Sequence, residues 1–323
     1  MEKVTKLHCG ILDDYQNVAL SYADWSPVLD KVEVKSFQSH FESEEEVAKA
    51  VGNCEFIVIM RERTPFTASL FQKLPKLKLL ITSGMRNASI DLKAAEKQGV
   101  TVCGTASSSE PPTEITWALI LALARQVVPE NLAMKNNGPW QSSVGSDLNG
   151  KQLGLLGLGK IGSKVAKVGI AFGMKVVAWS PNLTKDKTEP LGVQLAASKE
   201  ALLETSDYVS IHLVLGDRSR GLLGAPEFKK MKKTAFLINT SRAPIVDEKA
   251  LVDALRNGQI AGAGLDVFEI EPLPRDHVFR KLPNILSTPH LGYVSQSNYK
   301  TYYKETVEDI QAFLKGAPVR KIN

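Results

Sequence analysis

The chain has 323 residues, and at roughly 100 to 200 residues per domain it reads as two domains whose cores need no disulfide staples. Forty Lys+Arg against 35 Asp+Glu give a net charge of +5, spread without a basic block or interleaved aromatics, which gives no support to nucleic-acid binding. At 43% hydrophobic and 23% charged the composition is that of a soluble globular protein, and the longest apolar run, 115–124, is too short to span a bilayer.

Residues 1–6 lack the long apolar stretch and small-residue cleavage site of a secretory signal, so the expected location is the cytoplasm. Cys9, Cys54 and Cys103 lie far apart, each in or beside an apolar strand-like run, and read as buried, inert thiols. Short apolar runs at 7–12, 32–37, 55–60, 77–81 and 100–103 alternate with segments of helical period, which predicts βα units on a parallel sheet. Ser43 with Glu46 predicts a capping box opening a helix over 44–51 that Gly52 ends, and Asp91 to Gln98 before Gly99 repeats the pattern.

Pro111 and Pro112 then open an apolar helix over 113–128, long enough at ~1.5 Å per residue to link two domains. After a polar stretch at 136–139, a second series predicts strands at 153–157, 175–180, 208–215, 235–240, 261–267 and 285–288. A last helix over 297–315 returns the chain to the first domain. That domain is therefore discontinuous, 1–104 plus 292–323, and the second spans 105–291.

The second series opens on G-x-G-x-x-G, with Gly157, Gly159 and Gly162 directly after an apolar strand and at the mouth of a helix running to Ala171. This is the context a dinucleotide fingerprint requires: Gly157 permits the tight turn, Gly159 admits a pyrophosphate to the backbone, and Gly162 lets helix and strand approach. The helix N-terminus favours the anion.

Four ordered segments carry a family resemblance: Gly154-Leu-Leu-Gly-Leu-Gly-Lys-Ile-Gly162, Leu237-Ile-Asn-Thr-Ser-Arg-Ala-Pro-Ile-Val-Asp247, Gly262-Ala-Gly-Leu-Asp-Val-Phe-Glu-Ile-Glu-Pro-Leu-Pro274 and Ser287-Thr-Pro-His-Leu-Gly292. Over nearly its whole length the sequence resembles the D-isomer-specific 2-hydroxyacid dehydrogenases. The resemblance implies an α/β fold of two Rossmann-like domains with parallel sheets, the first substrate-binding and flavodoxin-like, the second dinucleotide-binding, with the active-site cleft between them. It also implies a homodimer built largely through the cofactor domains.

Such an enzyme needs a cation for the carboxylate, an acid/base for the hydroxyl proton and a nicotinamide beside C2. Arg242 follows a strand at its carboxyl end, where ligands of open α/β sheets bind, and its planar fork suits a carboxylate and a polarised C2 oxygen. His290, at the end of the last strand, is the general base for alcohol oxidation and the proton donor for reduction. A carboxylate in Phe268-Glu-Ile-Glu-Pro272 would orient the ring; Glu269 and Glu271 are rivals, and the resemblance chooses Glu271. His8, His40 and His277 have no comparable setting, and no cluster of His, Cys or carboxylates has zinc-like spacing.

The cofactor loop is Gly157, Gly159, Lys160, Ile161 and Gly162. The resemblance implies that Asp266 binds the nicotinamide carboxamide, helped by backbone around Thr240; His212, in a strand bordering the cofactor, and Gly292 are assigned to the same group. It also implies that the loop Ser83, Gly84, Met85 binds the substrate carboxylate through its amides. Arg61 and Arg63 after the strand at 55–60, and Arg86 beside the loop, are candidates for the rest of the substrate, with at least two of the three expected to be solvated.

Two departures stand out. The acidic residue that binds the adenosine ribose in NAD-preferring relatives is missing from Trp179-Ser-Pro-Asn182, so Ser180, Asn182, Lys185 or Lys187 could contact a 2′-phosphate. The expected cofactor is NAD(H) or NADP(H), leaning to NADP(H). Leu213-Val-Leu-Gly216 also lacks the Pro and Thr common there. The leading function is reduction of a small 2-oxo acid, glyoxylate, hydroxypyruvate or a bulkier analogue, to the D-2-hydroxy acid. The alternatives are a formate dehydrogenase, which pairs its histidine with an amide side chain, and a nicotinamide-sensing corepressor of the same fold.

Overall fold

In the computed structural model the described residues are 5–323; the reading of the N-terminus rests partly on residues 1–4, which lie outside them. The chain divides into two units, one made of the chain up to Ser108 together with Ser295–Asn323, the other Ser109–Val294. No helix among the described residues is long and apolar enough to cross a membrane.

The first unit holds strands β1 (Leu7–Ile11), β2 (Val32–Ser36), β3 (Phe56–Ile59), β4 (Leu79–Thr82) and β5 (Thr101–Gly104), parallel in the order β2-β1-β3-β4-β5. Every residue of β3 and β4 is buried, as expected where helices cover both faces of a parallel sheet. Helix Glu44–Val51 starts where the sequence placed it. Ser43 Oγ accepts the Glu46 N–H at 3.3 Å, but the Glu46 carboxylate accepts from the Glu42 N–H at 2.9 Å rather than from Ser43, so the box is offset by one residue. Helix Gln296–Leu314 buries Tyr299, Tyr302, Tyr303, Val307 and Ile310 within this unit.

The second unit holds β6 (Gln152–Leu156), β7 (Lys175–Trp179), β8 (Gln194–Leu195), β9 (Tyr208–Ile211), β10 (Phe236–Asn239), β11 (Gly262–Leu265) and β12 (Ile285–Ser287) in one sheet, β12-β11-β10-β9-β6-β7-β8. Strand order reverses between β6 and β9, the switch point outside which ligands of such sheets bind. Three expectations change. β9 ends at Ile211, so His212 stands just past the strand's carboxyl end instead of within it. The two-residue edge strand β8 is too short to show a period in sequence. The apolar helix runs Glu110–Ala124 and stops because Gln126 is left-handed (φ 54°); a second helix, Val127–Lys135, then begins. Both lie wholly in the second unit, so the apolar helix is a packing helix of that unit, burying Trp117, Leu119, Ile120 and Ala124, rather than a linker.

The cysteines pair with nothing. Burial pushes all three thiols up, Cys54 to about 11 and Cys103 to about 12, which keeps them protonated and unreactive at neutral pH. Cys54 is only half-buried.

Candidate active site

The glycine loop leaves β6 at the switch point. Gly157 has φ 103°, and a side chain there would meet the His212 carbonyl at 2.8 Å; one at Gly162 would collide with the Gly157 carbonyl. The space in front of Gly159 is open, with nothing within 4 Å of where its Cβ would lie. Helix Lys160–Ala171 starts at Gly159 with no side-chain cap, so its first N–H groups face outward as an anion cradle. These features fit a dinucleotide pyrophosphate: a turn only glycine can make, an open approach and uncapped donors. At the end of β7, Ser180 is half-buried and Asn182 exposed, and the first carboxylate after the strand, Asp186, is exposed. Lys185 is paired with Glu189 at 3.2 Å on the surface.

His212 Nε2 lies 2.9 Å from Ser210 Oγ, and burial pushes the imidazole down to about 4, so it is a neutral ring beside the glycine loop. Thr240 is half-buried, its hydroxyl 2.7 Å from that of Thr116.

The acid/base pair is made by residues 19 apart. His290 Nδ1 and Glu271 Oε2 are 2.7 Å apart, each side chain 17% exposed, while Glu271 Oε1 accepts the Phe268 N–H at 2.8 Å. Both carboxylate oxygens are thus engaged, and the second fixes the side chain that holds the ring. Glu269 is exposed. The His290 ring packs edge-on against Tyr293, with centroids 5.4 Å apart, and its backbone is left-handed (φ 52°). With Nδ1–H donating to Glu271, Nε2 is the nitrogen that can carry a proton to and from a ligand.

Arg242 follows β10 in extended backbone, half-buried, with Nη1 donating to the Ser241 carbonyl at 2.8 Å. Asn239 shapes this turn: its Oδ1 accepts the Ser241 N–H and its Nδ2 donates to the Arg242 carbonyl, both at 3.1 Å. Asp266, one residue past β11, is fully buried, and Gly292 donates its N–H to it at 2.7 Å.

In the first unit the loop after β4 is less open than expected. The Ser83 and Gly84 N–H groups already donate, to Ile59 O at 3.2 Å and Thr105 Oγ1 at 3.0 Å. Of the three amides, Met85's is the one left to bind a ligand, and Met85 is 45% exposed. Arg61 (φ 53°) donates to the Ser83 carbonyl at 3.4 Å. Of the three arginines only Arg86 is solvated; Arg63 is 8% exposed, contrary to expectation.

Sequence reasoning missed two more hydrogen-bonded histidine–carboxylate pairs. His40 Nδ1 lies 2.9 Å from Asp13, a buried residue with φ 57° that also accepts from Thr64 at 2.7 Å, and hydrogen bonding to Asp13 raises the His40 pKa. His277 Nε2 lies 3.1 Å from Glu248. The partners are 27 and 29 residues apart, and no local signal links them.

A model of the D-isomer specific 2-hydroxyacid dehydrogenase NAD binding domain matches residues 117–292. The chain is 37% identical over 303 residues to a D-3-phosphoglycerate dehydrogenase of Bacillus subtilis, covering 90% of this chain and 57% of that protein. It is 35% identical over 281 residues to a glyoxylate reductase of Korarchaeum cryptofilum, covering 85% and 84%. A crystal structure described as a putative D-3-phosphoglycerate dehydrogenase from Ralstonia solanacearum superposes with a TM-score of 0.91 at 36% identity, covering 98% of this chain and 96% of that one. The chain thus spans about half the length of the phosphoglycerate dehydrogenase relatives (57%, 52% and 54% of three of them) and most of the glyoxylate reductase. With a glycine loop at the sheet's switch point and a matched domain that covers more than half the sequence, this chain belongs to the D-isomer specific 2-hydroxyacid dehydrogenase family.

Proposed function

We propose that this protein reduces a small 2-oxo acid to the D-2-hydroxy acid, in the manner of a glyoxylate or hydroxypyruvate reductase. The observation that carries the reading is the Glu271–His290 pair, built in the same unit as Arg242 and the open glycine loop. Bound NAD(P)H supplies the hydride to C2. Arg242 holds the carboxylate and polarises the C2 oxygen; protonated His290 passes its Nε2 proton to that oxygen as charge builds on it, and Glu271 stabilises and orients the imidazolium. In the oxidative direction the neutral ring takes the hydroxyl proton back. Gly157 to Gly162 hold the pyrophosphate, with Ser180, Asn182, His212 and Thr240 around the rest of the cofactor. Within the first unit, Met85's amide and Arg61 are the groups proposed to bind an anion. A carboxylate in the place of an amide partner argues against a formate dehydrogenase, and nothing favours a corepressor. The test is a panel of 2-oxo acids assayed with NADH and with NADPH; no turnover of any acid with either cofactor overturns the reading.

The lean to NADP(H) rests on the missing carboxylate after β7. Ser180→Asp is expected to raise the ratio of kcat/KM with NADH to that with NADPH, because a carboxylate there accepts from the ribose hydroxyls and repels a 2′-phosphate. A ratio that stays or falls means residue 180 does not face the ribose.

The protein is proposed to work in the cytoplasm as a homodimer joined through its second unit. Helix Val127–Lys135 buries none of its residues, and Val127, Val128, Leu132 and Met134 on it and Trp140 and Val144 after it are all exposed, a local concentration of exposed apolar side chains that supports an interface there. A light-scattering mass of one chain removes this reading.

A further inference from the structure

We infer that His277 and Glu248 are positioning residues for the acid/base pair, a second histidine–carboxylate bond that braces the loop carrying Glu271. The inference rests on the proposed role of Glu271 and His290 as the acid/base pair.

The loop over 266–284 joins β11 to β12 and carries Glu271 and the short turn Val278–Arg280. A carboxylate on so long a connection is held within catalytic tolerance only where the loop around it is tied down. Part of the loop is closed on itself: Arg280 Nε and Nη2 donate to the Pro274 and Leu273 carbonyls at 2.9 and 2.7 Å, and the His277 N–H donates to the Pro274 carbonyl at 3.2 Å. These bonds shape the loop without fixing it to the rest of the unit.

His277 supplies a tie to the outside. Its Nε2 lies 3.1 Å from Oε1 of Glu248, in the first turn of helix Glu248–Arg256, and that helix is anchored by burying Ala250, Leu251, Val252, Ala254 and Leu255. Its Nδ1 accepts the Phe279 N–H at 3.3 Å. Because a carboxylate only accepts and an amide N–H only donates, Nε2 carries the proton and Nδ1 is the acceptor, so the neutral ring has both nitrogens engaged.

From His277 the contacts run unbroken to the reacting pair. The imidazole packs edge-on against Phe279, with centroids 4.9 Å apart, and Phe279 meets Phe268 at 6.3 Å. The Phe268 N–H donates to Glu271 Oε1 at 2.8 Å, and Oε2 holds His290 at 2.7 Å. Packing alone does not hold the two rings: a cavity of about 20 Å³ is lined by Phe268 and Phe279 together with Glu248 and Leu251, so part of their surface has no partner atoms. The glycine loop follows β6 and lies outside this path.

The test uses the full chain with His277→Ala, made in the wild-type and in the Glu271→Ala background, and with His277→Gln. Turnover of a 2-oxo acid that the wild type accepts and the Kd for NADH by fluorescence titration are both measured. His277→Ala is expected to lower kcat about 3-fold to 10-fold, less than the misplacement of a group that itself meets the substrate, with the NADH Kd within about twofold. In the Glu271→Ala background the same change is expected to cost less than about twofold, because a residue acting through Glu271 has nothing left to act on. His277→Gln, whose amide N–H can replace Nε2–H on Glu248, is expected to recover most of the lost kcat. An NADH Kd weakened tenfold, an equal loss in both backgrounds, no loss at all, or no recovery in His277→Gln overturns the inference. If His277→Ala does not fold, Glu248→Ala decides, with the same pattern expected. If Glu271→Ala turns over like wild type, the acid/base reading of the pair falls. The brace is then judged from the histidine ring NMR signal that His290→Ala deletes: a signal that moves in His277→Ala supports the brace, and one that stays overturns it.

Discussion

His290→Ala is expected to lower kcat by on the order of 10² to 10⁴, the scale of losing a positioned general acid/base, while the NADH Kd changes little. The loss falls on kcat because Nε2 meets the C2 oxygen most strongly when charge develops on it. The ring is oriented by Glu271 at 2.7 Å, and that carboxylate is itself fixed by the Phe268 N–H at 2.8 Å, so the imidazole meets the substrate already aimed. Removing it leaves Glu271 a half-buried carboxylate without its counterpart, and a modest loss of thermal stability accompanies the loss of turnover. Steady-state kinetics with one 2-oxo acid over the neutral pH range checks this; unchanged kcat makes His290 a structural histidine.

Arg242→Ala is expected to damage both KM and kcat, because the guanidinium binds the carboxylate in ground and transition states and the C2 oxygen more tightly in the latter. Truncating one partner of a desolvated charge pair costs about 2–5 kcal/mol, so kcat/KM should fall between about 30-fold and several thousand-fold. The turn itself should survive. Asn239 holds it through backbone atoms, with Oδ1 on the Ser241 N–H and Nδ2 on the carbonyl of residue 242, and neither bond needs the arginine side chain. Cofactor affinity is likewise expected to stay, since the glycine loop lies on other strands. A wild-type kcat/KM removes Arg242 from the site. Arg242→Lys is expected to recover only part of the loss, because an ammonium lacks the planar fork.

By itself the amino-acid sequence determined what depends on neighbours along the chain: the alternation of strands and helices, the Ser43 and Asp91 helix starts, and the glycine loop with its strand before and helix after. These are set by periodicity, capping and backbone conformation, which act over a few residues. The sequence also carried the family through four motifs, and with it the names of Arg242, Glu271 and His290. Tertiary structure decided what depends on which strand ends lie side by side. The residues left Glu269 and Glu271 as equals, and only the fold exposes the first and ties the second to His290 across 19 positions. It likewise spends the Ser83 and Gly84 amides on internal acceptors, buries Arg63, and joins Asp13 to His40. Asp266 is the clearest case. Its motif links it to a cofactor, yet its burial and its donors follow from the β11–β12 pairing, and a hydrogen-bond partner brought from 22 to 26 residues away by strand pairing leaves no trace in local sequence.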